Sequence, residues 1–498
     1  MGRHKSYTPL NVLMNNRLVG RLGKAPSGAV EFSYDASWLE WEHAMPVSQS
    51  LPLRETRFIG APVVAVFDNL LPDAPTIRTR VAERVGAEGT DAYSLLAKIG
   101  RDCVGALQFL PDGEQVDALD DIQGTPVSDA DIEGILANLS HAPLGLTEED
   151  GFRISIAGAQ EKTALLRHQN QWFKPNGTTP TTHILKPQIG HIQTAGGTID
   201  MSNSVENEFY CLKLLEAFGL PVNAASMQRF GAIKVLVVER FDRRWTRDNR
   251  LIRLPQEDCC QALSVPPGQK YQSQGGPGTV DILKLLQGSD APHEDQLAFF
   301  KSQIIFWLIG ATDGHAKNFS IFLLPGGRFR LTPFYDVLSA QPGLDSHQIQ
   351  RRTFKLAMSV GSSRKYRIAD ICGRHFVETG KESGLGPATI RQAVEEIQDI
   401  SVSAFETMEA TLPAGFPDAI HERVKTAALE RLRGLDSISL IGCVVRPNIV
   451  WTPWKADLPF RRPLISDNPV IDSASRVASH CPGKLNLSVS SNFTRPNQ

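Results

Sequence analysis

The sequence has few of the features that mark disulfide-rich, zinc-binding or membrane-spanning proteins. Its 498 residues include only seven cysteines, and no two of them form a C-x-x-C pair. This absence argues against a structural zinc site or a dithiol motif and favours reduced thiols. The longest apolar run, residues 304–312, is about half as long as the ~20 residues of a membrane-spanning helix. Because the N-terminus also lacks the apolar core of a signal peptide, we expect a cytoplasmic protein with no membrane partner.

Net charge is also nearly absent, since 52 Lys and Arg oppose 54 Asp and Glu, for a formal total of −2. A chain that coats nucleic acid along its whole surface is therefore excluded, and any such contact must be a local patch. Two segments depart from the balance. Residues 112–133 hold eight acidic side chains and no basic one, which predicts a solvated linker. Residues 441–498 hold seven Pro and seven Ser, which predicts a disordered or loosely attached tail.

Apolar patterns in the rest of the chain predict a mixture of strands and helices. Residues 12–19 predict a β-hairpin with Asn15 and Asn16 at its turn. The clearest strand and helix patterns further on occupy residues 184–185, 205–218, 235–238, 304–310, 329–331 and 388–432. We therefore predict an α+β fold.

The densest polar cluster is the loop 312–318, which directly follows an apolar helix pattern. Asp313 and Asn318 stand five residues apart, like the base Asp and the metal-binding Asn of a kinase catalytic loop. Asp336 follows Asn318 after a short strand pattern, where a second oxygen ligand for Mg²⁺ would lie. Each Asp alone is better explained as a turn former. The two together, with Asn318 between them, favour a phosphotransfer site.

A kinase also needs a cation for the phosphates and a hinge for adenine. Lys186 ends a strand pattern and suits the phosphates, although an edge-strand lysine that faces solvent has the same pattern. Either Glu206 or Glu208 could orient it. The strand 235–238 leads into Glu239, Arg240 and Phe241, which predicts either a hinge or a simple strand end.

Two further segments are weaker candidates when judged from their residues alone. Residues 155–162 place small side chains around Gly158, but match neither the Walker A pattern nor the G-x-G-x-x-G of common protein kinases. Arg364, Lys365 and Arg367 form a basic patch, which is either a solvated face or a contact to a nucleic-acid backbone.

Several long motifs, taken in order, resemble the HipA family, the serine/threonine-kinase toxins of bacterial type II toxin–antitoxin modules. The motifs are residues 66–73, 99–106, 152–162, 254–258, the loop 312–318 and residues 335–336. The resemblance implies a protein-kinase-like two-lobed fold with an N-terminal β-rich subdomain and an all-helical C-terminal lobe. The expected divisions are a HipA N-terminal subdomain (1–111), an acidic linker and helix (112–144), a kinase-like catalytic core (145–436) and the tail (437–498).

The resemblance also implies roles for individual residues, with ATP and Mg²⁺ as cofactors. Asp313 matches the general base, and Asn318 and Asp336 match the metal ligands. The other residues that match nucleotide contacts are Ala157, Gly158, Ala159, Gln160, Glu161, Lys162, Lys186, Glu239, Arg240, Phe241, His315, Ala316, Lys317 and Tyr335. The family's serine that matches Ser155 is autophosphorylated. About two added negative charges cannot lie where the ATP phosphates bind, so this modification ejects the loop and silences the kinase.

Partners are implied in the same way. The best-known substrate in the family is glutamyl-tRNA synthetase, whose phosphorylation stalls translation and causes growth arrest and persistence. The antitoxin is a small HipB-like helix-turn-helix protein that binds operator DNA with the kinase as co-repressor, and Arg364, Lys365 and Arg367 lie where family members approach DNA. Two alternatives remain, a catalytically idle co-repressor scaffold and a kinase for small molecules. The presence of Lys186 and Asp313 favours an active protein kinase.

Overall fold

A β-hairpin with two asparagines at its turn begins the described part of the chain. The computed structural model describes residues 7–114, 122–146, 152–158, 160–194 and 197–435. Strand β1 (Leu10–Met14) pairs antiparallel with β2 (Arg17–Lys24), which confirms the predicted hairpin. Asn15 and Asn16 both have positive φ, 46° and 67°. A two-residue hairpin turn of the primed type requires this conformation, and asparagine adopts it more readily than most residues.

The hairpin belongs to an N-terminal subdomain that packs helices on one sheet. Its remaining elements are β3 (Val30–Tyr34), α1 (Ala36–Leu39), β4 (Phe58–Ile59), α2 (Ala61–Asp68), α3 (Pro75–Arg84), α4 (Ala92–Ile99) and β5 (Leu107–Pro111). The sheet has the strand order β4-β3-β2-β1-β5. Phe32, Phe67 and Phe109 are fully buried in its core, where their rings pack edge to face. The predicted β-rich N-terminal subdomain is therefore confirmed.

A second sheet forms the first lobe of the kinase-like core. Its region contains β6 (Gly124–Val127), α5 (Asp129–Ala137), β7 (Thr163–His168), β8 (Gln171–Pro175), β9 (His183–Pro187), β10 (Gly190–Thr194), β11 (Gly197–Met201), α6 (Ser204–Ala217), β12 (Ala225–Phe230) and β13 (Ile233–Glu239). Six strands pair in the order β12-β13-β9-β7-β8-β6. The acidic segment that we expected to be a linker contributes to this lobe, because β6 pairs with β8 and Ile132 of α5 is fully buried. The helix expected within 112–144 is α5, where Asp129 and Asp131 are exposed while Ile132 is buried, so acidic side chains alone did not mark a solvated linker here.

The second lobe follows and is mainly helical. Its elements are β14 (Arg243–Trp245), β15 (Leu251–Arg253), β16 (Gln256–Asp258), α7 (Cys259–Ala262), α8 (Thr279–Leu286), α9 (Pro292–Ile309), β17 (Ser320–Leu323), β18 (Phe329–Leu331), α10 (Gln341–Asp345), β19 (Lys355–Val360), β20 (Lys365–Arg367), α11 (Gly373–Glu382), α12 (Pro387–Thr411) and α13 (Asp418–Leu432). The mixed, two-lobed prediction is confirmed. The lobe is not all-helical, however, since β16-β17-β18 form a small sheet that places the polar loops.

The helices predicted for this lobe are present and pack together. Helix α9 is buried along its apolar half, and α12 and α13 pack against it, as the spacing in 388–432 predicts. Within the described residues, no helix is long and apolar enough to cross a membrane. The tail predicted at 437–498 lies outside the described residues.

One buried group of charges joins the N-terminal subdomain to the core. Asp102, from the loop after α4, accepts hydrogen bonds from Arg243 Nη2 (2.8 Å), Arg253 Nε (3.1 Å) and Arg240 Nη1 (3.3 Å). Asp242 holds Arg240 from the other side, with Oδ2 at 2.8 Å from Nη2. We call these five residues the Asp102 cluster; each is less than one-tenth exposed.

Backbone groups also form hydrogen bonds with the carboxylates of the Asp102 cluster. Asp242 accepts the backbone N–H of Gly105 (2.7 Å), and Asp102 accepts both the N–H and the hydroxyl of Thr181. Burial alone would raise the pKa of Asp102, but the three guanidinium groups hold it well below its usual range. The carboxylate is therefore ionised in the folded protein, and its charge is compensated inside the protein.

Candidate active site

A cavity of about 1000 Å³ lies between the six-stranded sheet and the helical lobe. Strand β9 and the end of β13 line one side, and the loop 312–318 with Asp336 lines the other. Most residues that the sequence predicts for a kinase site meet here. Those at the cavity wall are Ala157, Gly158, Gln160, Glu161, Lys162, Lys186, Arg240, Phe241, Asp313, His315, Lys317, Asn318, Tyr335 and Asp336.

Lys186 lies at the centre of one wall. Strand β9 is paired on both sides, with β13 and β7, so Lys186 is not on an edge strand and is nearly buried. Its Nζ donates to Glu208 Oε1 and to Asp336 Oδ1, both at 2.7 Å. We call Lys186, Glu208 and Asp336 the Lys186 cluster. Because a phosphate-binding lysine needs an orienting carboxylate, this arrangement has the geometry of a kinase nucleotide site.

The structure decides between the two glutamates that the sequence left open. Glu208 of α6 contacts Lys186, whereas Glu206 pairs with Lys234 and accepts a hydrogen bond from Gln188 Nε2 at 3.0 Å. The two carboxylates differ because they are two residues apart on a helix and so point in different directions.

Asp336 has a strained backbone and a strongly acidic side chain. Its φ is +59°, which is uncommon for a residue other than glycine. Residues with such a backbone conformation occur often at functional sites. The preceding Tyr335 is anchored, since its hydroxyl donates to the Lys317 carbonyl at 3.0 Å and contacts Ser320. Burial alone would raise the pKa of Asp336, but Lys186 and Lys162 hold it well below its usual range. Asp336 is thus a fixed anion at the cavity wall.

The loop 312–318 presents Asp313 and Asn318 together. Helix α9 ends at Ile309, and the φ of +70° at the next residue, Gly310, lets the chain turn sharply. Asp313 is exposed, and its Oδ1 accepts a hydrogen bond from the Tyr271 hydroxyl. Asn318 Nδ2 donates to the Asp313 carbonyl at 2.9 Å, which directs the Asn318 amide oxygen away from this bond. The loop therefore offers one carboxylate and one amide oxygen to the cavity.

Buried polar atoms at the same wall fit a polar ligand. His315 is buried, and its Nδ1 has no hydrogen-bond partner among the described residues. Burial lowers the pKa of His315, so the ring is neutral near pH 7. No group of three or more His, Cys, Asp or Glu side chains gathers in the described residues as a complete metal cage. Asp336 and Asn318 instead provide a partial oxygen set, the kind that binds Mg²⁺ together with phosphates.

Ile156, Ala157 and Gly158, together with Lys162, cover one end of the cavity. Gly158 has a φ of +111°, and a Cβ there would lie 2.5 Å from Lys162 Nζ. Only glycine therefore suits this position. Burial, with Lys186 nearby, lowers the pKa of Lys162 to about 8. Ala159 lies outside the described residues.

Ser155 does not face the cavity. It is fully buried, its hydroxyl donates to the Leu70 carbonyl at 2.7 Å, and its N–H donates to the Asp102 carbonyl at 2.9 Å. In this conformation the serine is part of the contact with the N-terminal subdomain.

Of the three residues of the predicted hinge, Phe241 and Arg240 reach the cavity and Glu239 does not. Phe241 lines the cavity, with its ring centroid 5.7 Å from that of Tyr335. The Glu239 side chain is exposed, and its backbone pairs with His183. The Arg240 guanidinium lies in the Asp102 cluster, so only the remainder of this residue reaches the cavity. Ala316 is buried in the short 3₁₀ turn Ala316–Asn318.

Comparisons with known proteins agree with this geometry. A model described as the HipA-like C-terminal domain matches residues 154–405, and one described as the HipA N-terminal domain matches residues 10–110. The chain belongs to the HipA family. Among relatives, "Putative kinase Y4mE" of Sinorhizobium fredii is 35% identical over 79% of this chain and 90% of its own length.

A second family member has both a sequence match and a structural match. The "Serine/threonine-protein kinase toxin HipA" of Shewanella oneidensis is 28% identical over 72% of this chain and 80% of its own length. A solved structure of HipA from that organism, in a complex with HipB and operator DNA, superposes with a TM-score of 0.71. The match covers 87% of this chain and 100% of the other, at 22% identity, so it establishes the shared HipA fold.

The basic patch lies on the β19–β20 hairpin of this HipA fold. Arg364 is exposed at its turn, with a φ of +49°, and Lys365 is half-buried. Arg367 Nη2 forms an ion pair with Asp370 at 2.7 Å. Arg364 therefore offers the most accessible charge of the three.

Several cavity residues were not identified as site residues from the sequence, among them Asp73, Asp258 and Lys270. Asp73 and Asp258 are the last residues of two motifs, 66–73 and 254–258, on which the family resemblance rests. Their place in these motifs was the sequence signal that could have identified them as site residues. Their contacts cross between distant segments, so spacing along the chain does not reveal them.

Proposed function

We propose that this chain is a Mg²⁺- and ATP-dependent serine/threonine kinase toxin of a type II toxin–antitoxin module. The observation that carries the proposal is the meeting of Lys186, Glu208 and Asp336 with Asp313 and Asn318 at one cavity. This set supplies the cation, the orienting carboxylate, the metal ligands and the base that phosphoryl transfer needs.

The cavity accommodates a nucleotide with its adenine near the hinge. Ile184, Val238 and Phe241 give that end an apolar wall, which suits a flat heterocycle. The phosphates would then lie under Gly158, between Lys162 and Lys186. A loop with a positive-φ glycine lets the backbone approach phosphate oxygens closely.

Asn318 and Asp336 would hold the divalent metal, and Asp313 would act on the substrate. When bound, the metal ion neutralises charge on the phosphate oxygens. Asp313 is exposed at the cavity and can accept the proton of a serine or threonine hydroxyl. The Tyr271 hydroxyl donates to the same carboxylate and so orients it. General bases placed in this way contribute about 10²- to 10⁴-fold to rates.

Autophosphorylation of Ser155 would regulate the kinase activity. The hydroxyl is inaccessible while it donates to Leu70, so the loop must leave this position before phosphate is added. About two negative charges could not return to a buried site next to the Asp102 carbonyl. A phosphorylated loop would therefore stay out, and Gly158 would no longer cover the phosphates.

The proposed partners are a HipB-like antitoxin, operator DNA and glutamyl-tRNA synthetase as substrate. The Shewanella complex supports the first two, because that HipA is seen with HipB and DNA. Arg364, Lys365 and Arg367 would supply a local contact to the DNA backbone. Since the whole chain carries only −2, such a contact would depend on the antitoxin for most of its attraction.

Growth tests the toxin function directly. We expect cells that express the wild-type chain without antitoxin to stop growing, and cells that express Asp313→Ala at equal level to grow. Co-expression of the antitoxin should restore growth of the wild type. Equal growth of both strains would instead favour the idle co-repressor.

Phosphate transfer tests the substrate. Purified glutamyl-tRNA synthetase should acquire label from γ-labelled ATP with the wild-type chain and not with Asp313→Ala. Labelling of small molecules without any labelled protein would point to the alternative kinase class.

The phosphorylation state of the chain tests regulation. Ser155→Ala should remove one phosphate from the intact mass, and Ser202→Ala, which changes a half-buried serine in the turn before α6, should not. An unchanged phosphate count in Ser155→Ala would refute this site.

A further inference from the structure

A carboxylate from the N-terminal subdomain reaches into the cavity of the kinase-like core. Asp73 lies between α2 and α3, its side chain is 9% exposed, and it lines the cavity. Its Oδ1 accepts from Lys317 Nζ at 2.7 Å, and its Oδ2 accepts from Lys270 Nζ at 2.8 Å. One carboxylate thus holds two lysines from separate segments of the second lobe.

The backbone of Asp73 holds a third segment. Its N–H donates to the Gly158 carbonyl at 3.0 Å, and Pro72 forms a parallel bridge with Gly158. The backbone of Asp73 therefore holds Gly158 on one side of the cavity, and its side chain holds Lys317 and Lys270 on the other side. A shift of Asp73 would move both sides of the cavity.

Each lysine that Asp73 holds adjoins a residue of the catalytic set. Lys317 directly precedes Asn318, and its carbonyl accepts the Tyr335 hydroxyl next to Asp336. Lys317 Nζ also donates to the Asn69 carbonyl at 3.1 Å, so its direction is fixed by two acceptors of the N-terminal subdomain. Lys270 directly precedes Tyr271, whose hydroxyl donates to Asp313.

The Asp73 carboxylate is ionised at neutral pH. Burial alone would raise its pKa, but Lys317 and Lys270 lower it to about 2. A second carboxylate lies near the same group, with Asp258 Oδ2 4.0 Å from Lys317 Nζ. The two lysines are therefore held in place by carboxylates from both the N-terminal subdomain and the core.

We propose that Asp73 is a positioning residue for phosphoryl transfer, which fixes the catalytic loop through Lys317 and Lys270 and the cover of the cavity through Gly158. The inference rests on the proposed kinase function. It makes the N-terminal subdomain a part of the active site, because Asp73 connects Gly158 to both Lys317 and Lys270, two segments that the core itself joins through the Ala316 N–H to Lys270 carbonyl bond (3.3 Å) and the Tyr271 hydroxyl.

The test compares Asp73→Asn with a matched control from the same segment. Asp68 also binds a cation, Arg78 Nη1 at 2.6 Å, but does not line the cavity, so Asp68→Asn removes a similar ion pair outside the site. We expect Asp73→Asn to lower kcat by about 10- to 100-fold, because small misplacements of reacting groups have effects of that order. The KM for ATP should change less than about threefold, since the adenine wall is untouched. Asp68→Asn should keep the wild-type kcat.

The outcomes separate the two proposals. If the wild-type chain and Asp68→Asn transfer no phosphate, the proposed function fails. If the wild type is active and Asp73→Asn has the same kcat, only the positioning inference is overturned. It is overturned as well if KM alone rises, or if both variants lose activity together with melting temperature. Should Asp73→Asn not fold, Lys270→Met removes one of the two contacts and should lower kcat about 3- to 10-fold at unchanged KM; an unchanged kcat would overturn the inference.

Discussion

The molecule contains two buried groups of opposite charges whose surroundings differ. In the Asp102 cluster, three guanidinium groups and two carboxylates pair with one another and with backbone groups on both sides of a subdomain boundary, although the buried Arg243 Nε has no partner among the described residues. Arg240 and Asp242 of this cluster also reach the cavity wall, but the shared carboxylate of Asp102 is only 3% exposed, whereas the Asp336 side chain of the Lys186 cluster lines the cavity and is 35% exposed. The central carboxylate of the first cluster is therefore enclosed by protein groups, whereas that of the second is open to a ligand.

This difference shows why burial and a shifted pKa alone do not identify a catalytic group. Asp102 and Asp336 both have a pKa held far below the usual range, and each touches basic side chains at hydrogen-bond distance. Access to the cavity and the positive φ of Asp336 distinguish the two. We therefore assign stability to the Asp102 cluster and chemistry to the Lys186 cluster, and the following changes test that division.

Asp102→Ala should have the largest effect, on stability. It leaves three buried guanidinium groups without their shared carboxylate, and removal of one partner from a buried ion pair costs about 3–5 kcal/mol. Urea unfolding should report this loss. Arg328→Ala, which breaks an exposed pair with Asp290, should cost at most about 1 kcal/mol. A similar small loss in both variants would contradict the structural role.

Asp336→Asn should affect the reaction more than the fold. If Asp336 holds the metal as proposed, its removal forfeits several kcal/mol of transition-state stabilisation, so we expect kcat to fall about 10³-fold. Its unfolding free energy should change far less than that of Asp102→Ala, because Asp336 borders the cavity. The two variants should be measured side by side by phosphate transfer and urea unfolding. The division fails if Asp336→Asn unfolds as readily as Asp102→Ala.

Gly158→Ala should have an intermediate effect, confined to nucleotide use. The residue has a φ of +111°, and the added Cβ would meet Lys162 Nζ. Strain of this kind costs about 1–3 kcal/mol, so kcat/KM for ATP should fall about 5- to 150-fold. Gly134→Ala on α5 is the control, since a Cβ there meets no atom within 4 Å. Equal kcat/KM in the two variants would argue against the loop as a cover for the phosphates.

The smallest predicted effect is a loss of kcat/KM at alkaline pH. The pKa of Lys162 is lowered to about 8, so this lysine loses its proton, and its attraction for phosphate, as pH rises through that value. Because kcat/KM reports groups of the free enzyme, it should fall to half near pH 8. Lys162→Arg keeps its charge throughout and should remove this alkaline decline. A decline that persists unchanged in Lys162→Arg would assign it to another group.

Local features were predictable from the sequence to different degrees. The hairpin at Asn15, the strand that carries Lys186 and the helices after residue 388 follow from turn chemistry and apolar spacing. The strand predicted at 329–331 is confirmed by β18, but the small sheet was missed because a three-residue strand such as β16 has too few positions to show alternation.

The site was predictable where its residues lie close along the chain. Asp313 and Asn318 share one loop, so their spacing carried the signal. Arg240 was assigned to the nucleotide, yet its guanidinium binds Asp102, 138 residues away along the chain. Asp73 was not assigned at all, since its contact to Lys317 spans 244 residues. Partners at such separations are determined by tertiary packing and cannot be read from local spacing.

Phosphoryl transfer in the cavity of the Lys186 cluster is the activity that we propose for this chain. The most direct measurement is the rate of γ-phosphate transfer from labelled ATP by wild type and Lys186→Met, at a temperature where circular dichroism shows both folded. We predict a rate at least about 10²-fold lower in Lys186→Met, as expected when one preorganised donor to developing charge is removed. Equal rates in the two folded proteins would contradict the account.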